Sequence, residues 1–365
     1  MSTPVSESHP VQKSVRIWLL AGLIMVFFQV VIGGVTRLTD SGLSITEWAV
    51  IQGTIPPLND EAWQQAFDQY KEAARKQYES LHADMTLSEF KVIFFWEYFH
   101  RLWARLMGLV FLFPFLYFWS RKWLPRWLMR RLGVVILLAV LAAAFGMIMV
   151  ASGLNDDSRT WVSAYKLIIH LGIATALFGY LFWTLLLASQ PPPEDGAAAG
   201  LRRFGWGLAA VLIVQILFGG LMAGMRAGLL HPYFPFFVEG GRLLDALSST
   251  SGLGFDHFID YEPSTFVKAL VQVLHRATAY LLAGLVVWFF IRIRRSADRS
   301  SRLLAGSWWL FGAVALQFLL GVLTVVNSIG RIPIFYGVVH QAGALLLLIA
   351  LLFVNFQFRN KPLPS

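Results

Sequence analysis

The sequence predicts an all-α integral membrane protein: eight transmembrane helices arranged as two tandem four-helix bundles related by a pseudo-twofold axis, with both termini cytoplasmic. Three observations carry that expectation. The 365 residues are 57% hydrophobic and only 14% charged, a balance no ordinary soluble domain shows. Eight apolar stretches lie near 17–36, 93–119, 132–152, 164–188, 205–224, 266–291, 304–326 and 334–357, and most have the ~20 residues needed to cross a hydrocarbon core. Finally, motifs of the first four stretches return in the last four.

Charge sets the orientation. The net charge of +9 could suggest nucleic acid, but its distribution reports topology instead. With both termini on one side, that side collects Lys13, Arg16, Arg121, Lys122, Arg126, Arg130, Arg131, Arg202, Arg203, Arg292, Arg294, Arg295, Arg299, Arg302, Arg359 and Lys361, mostly in short loops. The opposite side has a sparser set spread over long loops. The positive-inside rule makes the richer side cytoplasmic, and no nucleic-acid partner is expected. The absence of cysteine excludes disulfides, thiolate metal sites, iron–sulfur clusters and covalent haem attachment. Any metal is left to His or carboxylate. The segment to Val15 is short and polar and runs into a full-length span, so the first span is expected to be an uncleaved anchor of a multi-pass protein in a bacterial inner membrane.

Taken in order, span 1 ends in Gln29-Val-Val-Ile-Gly33-Gly34-Val-Thr36-Arg37. The outer loop 38–91 carries WQQAFDQYKEAARKQYESL, where Trp63, Phe67, Tyr70 and Ala74 share a face; this predicts an amphipathic helix lying on the membrane or capping the bundle. Span 2 holds FFWEYFHRLWARLMG, in which Glu97, His100 and Arg101 are spaced i, i+3, i+4 and project from one face. Such groups inside a membrane helix are costly unless they meet a ligand, a partner or a cavity. Span 3 contains Phe145-Gly146-Met147 and span 4 contains Lys166-Leu-Ile-Ile-His170. After the linker SQPPPEDGAAAG, span 5 repeats QxxxGG as Gln215 to Gly219-Gly220, and span 6 reads Gln272-Val-Leu-His275-Arg276. His275 follows His100 by 175 residues, Gly321 follows Gly146 by 175, and His340 follows His170 by 170. Four spans return the chain to its starting side, so the units share one orientation. The expected division is an N-terminal unit 1–188 with a substrate site, a cytoplasmic linker 189–204, and a C-terminal unit 205–365 with a cofactor site.

The histidines of spans 2, 4, 6 and 8 all enter from the outer side and sit roughly 9 to 14 Å deep at 1.5 Å per residue, so they pair as His100 with His170 and His275 with His340. A lone intramembrane His serves equally well as an interhelical hydrogen bonder. Four at equivalent positions, two followed by Arg, point to haem ligation: each unit offers two imidazoles and no thiolate, which suits the two axial positions of a macrocycle. Ala104 and Ala279, four residues beyond a His, leave room for a flat ring. Arg101 and Arg276 are candidate propionate contacts, or they snorkel. The paired glycines are expected to be close-packing positions and Gln29 and Gln215 interhelical hydrogen bonders, while His9, His82, His231 and His257 are expected to be solvated. The informative difference between the halves is Glu97 against Gln272. A carboxylate can take up a proton and an amide cannot, so the first unit is expected to bind a substrate haem and the second a permanent redox haem. The rival role for Glu97 is a structural ion pair.

These motifs resemble the haem A synthase family: GGVTRLTDSGLS with Trp48 and Pro56-Pro57 after span 1, EFKVIFFWEYFHRLWARLMG in span 2, LHRATAYLLAG in span 6, LLGVLTVV in span 7 and VVHQAG in span 8, spread over nearly the whole chain. The resemblance implies a haem-dependent membrane oxidoreductase that oxidises the C8 methyl group of haem O to a formyl group through a hydroxymethyl intermediate, giving haem A for terminal oxidases. It also implies haem B on His275 and His340, with Glu97, His100 and His170 in the substrate site and Glu97 as the catalytic residue. Candidate partners are haem O synthase, an electron acceptor of unspecified identity, membrane lipid and a second copy of the chain, as a homo-oligomer. The chain departs from the family pattern at Ala49 and Val50, where a proline commonly follows the tryptophan, and at His231-Pro232, where an Asn-Thr pair is usual. It lacks the outer-loop cysteine pair of some members, which removes a thiol relay. Two rivals stay open: a di-haem b-type cytochrome that only passes electrons, and a haem or ion transporter, against which the off-midplane histidines count.

Overall fold

The computed structural model describes residues 11–47, 52–154, 160–190, 199–235, 242–248, 254–296 and 299–359. In chain order its helices are α1 (Lys13–Leu38), α2 (Asp60–Ala73), α3 (Arg75–Leu81), α4 (Leu87–Ser120), α5 (Arg126–Leu154), α6 (Ala164–Ser189), α7 (Ala199–Gly224), α8 (Arg242–Ser248), α9 (Asp256–Ile259), α10 (Thr265–Arg295), α11 (Ser301–Val326) and α12 (Ile334–Gln357), with no strand among the described residues. Eight of them, α1, α4 to α7 and α10 to α12, are long and apolar enough to cross a membrane. The eight predicted spans are all present. Most helices overrun them by a few residues, and two do so for clear local reasons. The second begins at Leu87 rather than 93 because Thr86 and Glu89 form a capping box, with each side chain taking the other's backbone N–H. The sixth continues to Arg295, where three arginines in the last turn complement the negative end of the helix dipole.

Within each half the first membrane helix packs on the second, α1 on α4 and α7 on α10, and the third on the fourth, α5 on α6 and α11 on α12. The halves meet first helix to fourth: α1 lies against α12 and α6 against α7. One side breaks this correspondence. The helices α10 and α11 pack along each other, whereas α4 and α5 barely touch. The inner half of the bundle is filled by a continuous apolar core that includes Trp18, Leu128, Leu132, Phe178, Leu208 and Phe289.

The outer loop is a cap. Asn59 accepts the Ala62 N–H at 2.8 Å to start α2, and the predicted amphipathic segment is broken at Ala74 into α2 and α3. Its apolar stripe is the one read from the sequence: Phe67, Tyr70 and Ala74 are buried, with Trp63 partly buried, against Phe90, Ile93 and Phe94 at the start of α4. Ring centroids of Phe67 and Phe90 lie 4.9 Å apart and those of Trp63 and Phe94 5.0 Å apart. Of the two placements expected, the segment takes the one over the bundle.

A polar clasp joins the halves on the same side as this cap. Arg37, at the end of α1, donates to the carbonyls of Ala223 and Gly224 at the end of α7, 3.1 Å each. Arg226 pairs with Asp40 and lies over the Trp161 ring. Asp40 and Arg226 are 186 residues apart, as are Gln29 and Gln215. Both adopt left-handed backbone, with φ of 57° and 52°. Equivalent turns of the two halves therefore bind each other directly.

Candidate functional site

Glu97 is 3% exposed and its carboxylate is held by three donors. Oε2 accepts the Ser44 hydroxyl at 2.8 Å and the Ile45 N–H at 2.9 Å, and Oε1 accepts from Arg101 at 2.6 Å. Arg101 continues to the carbonyls of Ile45 at 2.9 Å and Glu47 at 3.1 Å. The i, i+4 pair on α4 thus latches the chain leaving α1. Three of the carboxylate's roughly four acceptor positions are filled, leaving one.

The second half repeats the latch with the polarity of its first member reversed. Gln272 donates to the His231 carbonyl at 2.9 Å, and Arg276 donates to the Pro235 carbonyl at 3.0 Å, both in the segment leaving α7. An amide has an N–H to give, so the backbone presents a carbonyl; a carboxylate only accepts, so the backbone presents an N–H and a hydroxyl. Both arginines proposed for propionates are turned toward loop carbonyls here. His231, expected to be solvated, is 1% exposed, because this latch folds its segment into the mouth of the bundle. His82 is half-buried and bonds Tyr70 Oη at 2.6 Å; burial pushes its imidazole below the ordinary value. His257 is half-buried, and His9, Trp48, Ala49 and Val50 lie outside the described residues.

Each membrane histidine sits against a glycine of a neighbouring helix in its own half. A Cβ built on Gly33, Gly146, Gly219 or Gly321 would meet the ring of His100, His170, His275 or His340 at 3.1, 3.2, 3.3 and 3.0 Å respectively. Four residues before three of these glycines stands a glutamine whose amide reaches the same ring: Gln29 to His100 at 2.9 Å, Gln215 to His275 at 3.2 Å and Gln317 to His340 at 3.1 Å. The fourth position is Ala142, whose carbonyl takes the Nδ1–H of His170 at 2.9 Å, leaving Nε2 of that ring as its acceptor nitrogen. The expected interhelical role of Gln29 and Gln215 is what the structure places there. Gln317 went unread, although its four-residue spacing to Gly321 matches the other two.

The glycine pairs divide their work. Gly33 and Gly219 make room for a histidine of their own half, while Gly34 and Gly220 admit the other half: a Cβ on Gly34 would meet Gln341 at 2.5 Å, and one on Gly220 would meet Ile168 at 2.9 Å. Close packing was expected for all four; for the first of each pair the packed neighbour is the imidazole itself.

The residues fit a macrocycle. The rings of His275 and His340 have centroids 6.4 Å apart and planes at 87°. Two imidazoles on one iron, with metal–nitrogen bonds of about 2 Å each, put their centroids roughly 6 Å apart. No group of three His, Asp or Glu that could hold a bare ion occurs among the described residues; the membrane histidines come in pairs. No ring contact joins His100 to His170 among the described residues.

The model of the family described as Cytochrome oxidase assembly protein matches residues 16–352. Curated relatives that carry the name Heme A synthase match nearly the whole chain. That of Nitrosospira multiformis is 40% identical over 358 residues, covering 97% of this chain and 96% of its own. That of Rhodopseudomonas palustris (strain BisB5) is 40% identical over 357 residues, 97% and 94%. That of Flavobacterium psychrophilum is 38% identical over 339 residues, 92% and 95%.

Proposed function

The chain belongs to the haem A synthase family, and from that premise we propose that its two halves divide the reaction, the N-terminal half taking the substrate and the C-terminal half a haem B cofactor. The protein is a multi-pass inner-membrane oxidoreductase that converts haem O to haem A. Oxidising a methyl group through hydroxymethyl to formyl, with the oxygen atom drawn from water, releases protons and electrons; the electrons must pass on to an acceptor outside the chain, so the site needs an electron carrier beside a proton acceptor. Haem B, when bound, supplies the one-electron carrier. His275 and His340 would hold it, oriented by Gln215 and Gln317. His100 and His170 would hold haem O, and Glu97 would receive the proton at its remaining acceptor position while Ser44, Ile45 and Arg101 hold the carboxylate still.

The observation that carries this reading is that one latch is built twice and its helix supplies a carboxylate in the N-terminal copy and an amide, which cannot take a proton, in the C-terminal one. Extracting the haems tests it: haem B together with haem O or haem A is expected, and haem B alone would leave a di-haem electron carrier. In Glu97→Gln, haem A formation is expected to fall by about 100-fold or more, in line with loss of a general base, with both haems retained. Unchanged haem A formation in that variant would remove Glu97 from the chemistry.

A further inference from the structure

We propose that the substrate haem enters and leaves the N-terminal half sideways, from the lipid, through the gap between α4 and α5; this rests on the assignment of haem O to that half. A four-helix bundle has four sides, and in the C-terminal half all four are closed, with α10 and α11 packed together. Equivalent helices burying equivalent histidines should close the N-terminal half in the same way, yet α4 and α5 barely meet.

Burial follows the same division. The helix α10 buries Leu282, Val286 and Phe289 beyond its histidine, and α11 buries Leu310, Val314 and Leu320. Beyond Glu97, α4 buries nothing until Phe118, and α5 buries nothing between Val135 and Ser152. The stripe His100, Ala104, Gly108, Leu112, at i, i+4, i+8 and i+12, runs down α4 from the ligand. Ala104 and Gly108 are exposed, Leu112 is 47% exposed, and a Cβ on Gly108 would meet nothing within 4 Å. Across the gap α5 exposes Ile136 and Val140.

The other routes are shut. Above the histidines lies the cap, with Tyr70 and Phe90 fully buried, and the Glu97–Arg101 latch on the segment beneath it. Below them lies the core around Trp18, Phe118, Leu132 and Phe178. On the far side α1 and α6 lie against α12 and α7. The remaining side is apolar and faces hydrocarbon, the medium in which a flat, largely apolar macrocycle dissolves. A cofactor that stays needs no such side, and the half assigned to it has none.

The chain has no cysteine, so Leu112→Cys with Ile136→Cys can be joined by a cleavable flexible bis-maleimide in detergent-solubilised protein. A gate changes the barrier and not the end states. Uptake and release of haem O at the N-terminal half, followed by absorbance, are therefore expected to slow by about tenfold or more, with equilibrium occupancy and the C-terminal haem spectrum unchanged and both rates restored on cleavage. A control link between α10 and α11, joining the exposed positions Val287→Cys and Leu316→Cys, should alter neither rate. Unaltered haem O rates in protein shown to be linked across α4 and α5 would overturn the proposal, as would failure of the two cysteines to link, which would mean that they do not border one gap. If the unlinked protein takes up no haem O at the N-terminal half, the assignment of substrate to that half fails instead.

Discussion

The two halves are one device built twice with local differences. Each clamps the segment after its first helix with an i, i+4 pair, seats two histidines against glycines of neighbouring helices, and presents a first and a fourth helix to its twin. The C-terminal copy is closed all round, draws its imidazoles to 6.4 Å, and uses an amide in its latch. The N-terminal copy leaves one side open, brings its imidazoles into no ring contact, and uses a carboxylate. On the proposed division of labour, the closed copy holds its haem and the open copy with the carboxylate is where the substrate reacts. The difference lies in one helix pair and a few side chains rather than in the fold.

That comparison can be broken at several points. The largest effect is expected from His340→Ala or His275→Ala, which should empty the C-terminal half of haem and abolish haem A formation, whereas His100→Ala should leave that haem in place. Equal loss from either half, by haem extraction and absorbance, would mean that the halves are not separate sites. Next, Gly321→Ala puts a methyl 3.0 Å from the His340 ring. Disturbing an axial ligand's support is expected to weaken haem binding about tenfold. Gly108→Ala, which meets nothing, should instead stabilise α4 by up to about 1 kcal/mol; thermal unfolding and haem titration separate the two.

Smaller effects concern what joins and covers the halves. Asp40→Asn removes the partner of Arg226 on the shared turn, where both groups keep some solvent contact. About 1 kcal/mol of stability should go, read as a lower Tm, with little change at either histidine pair. The cap should respond to acid. Burial, more than its charged neighbours, holds His82 below its ordinary value, so its neutral form belongs to the folded cap. Its contribution is complete above that ordinary value and is lost as pH falls below it, through the lowered folded-state value. Limited proteolysis of the 60–86 segment should quicken over that window, and His82→Gln should flatten the dependence.

Much of this was legible in the chain itself. Eight spans, the duplication, the four histidines and the Glu97–Gln272 contrast follow from hydropathy, fixed offsets and helical spacing, because backbone satisfaction in lipid forces continuous helices and a repeat copies its registers. The face of the outer amphipathic segment was equally plain, since apolar period alone sets it. What the chain could not reveal was where side chains go once helices meet. That Arg101 and Arg276 turn to loop carbonyls, that Gln317 completes a set with Gln29 and Gln215 while Ala142 substitutes a carbonyl, and that His231 is buried all depend on which backbone groups arrive opposite them. Above all, α4 and α5 are as apolar as α10 and α11, and nothing in their composition says that one pair packs and the other parts. Between membrane helices lipid is as good an apolar neighbour as leucine, so hydropathy cannot distinguish a closed side from an open one, and only the tertiary packing decides it.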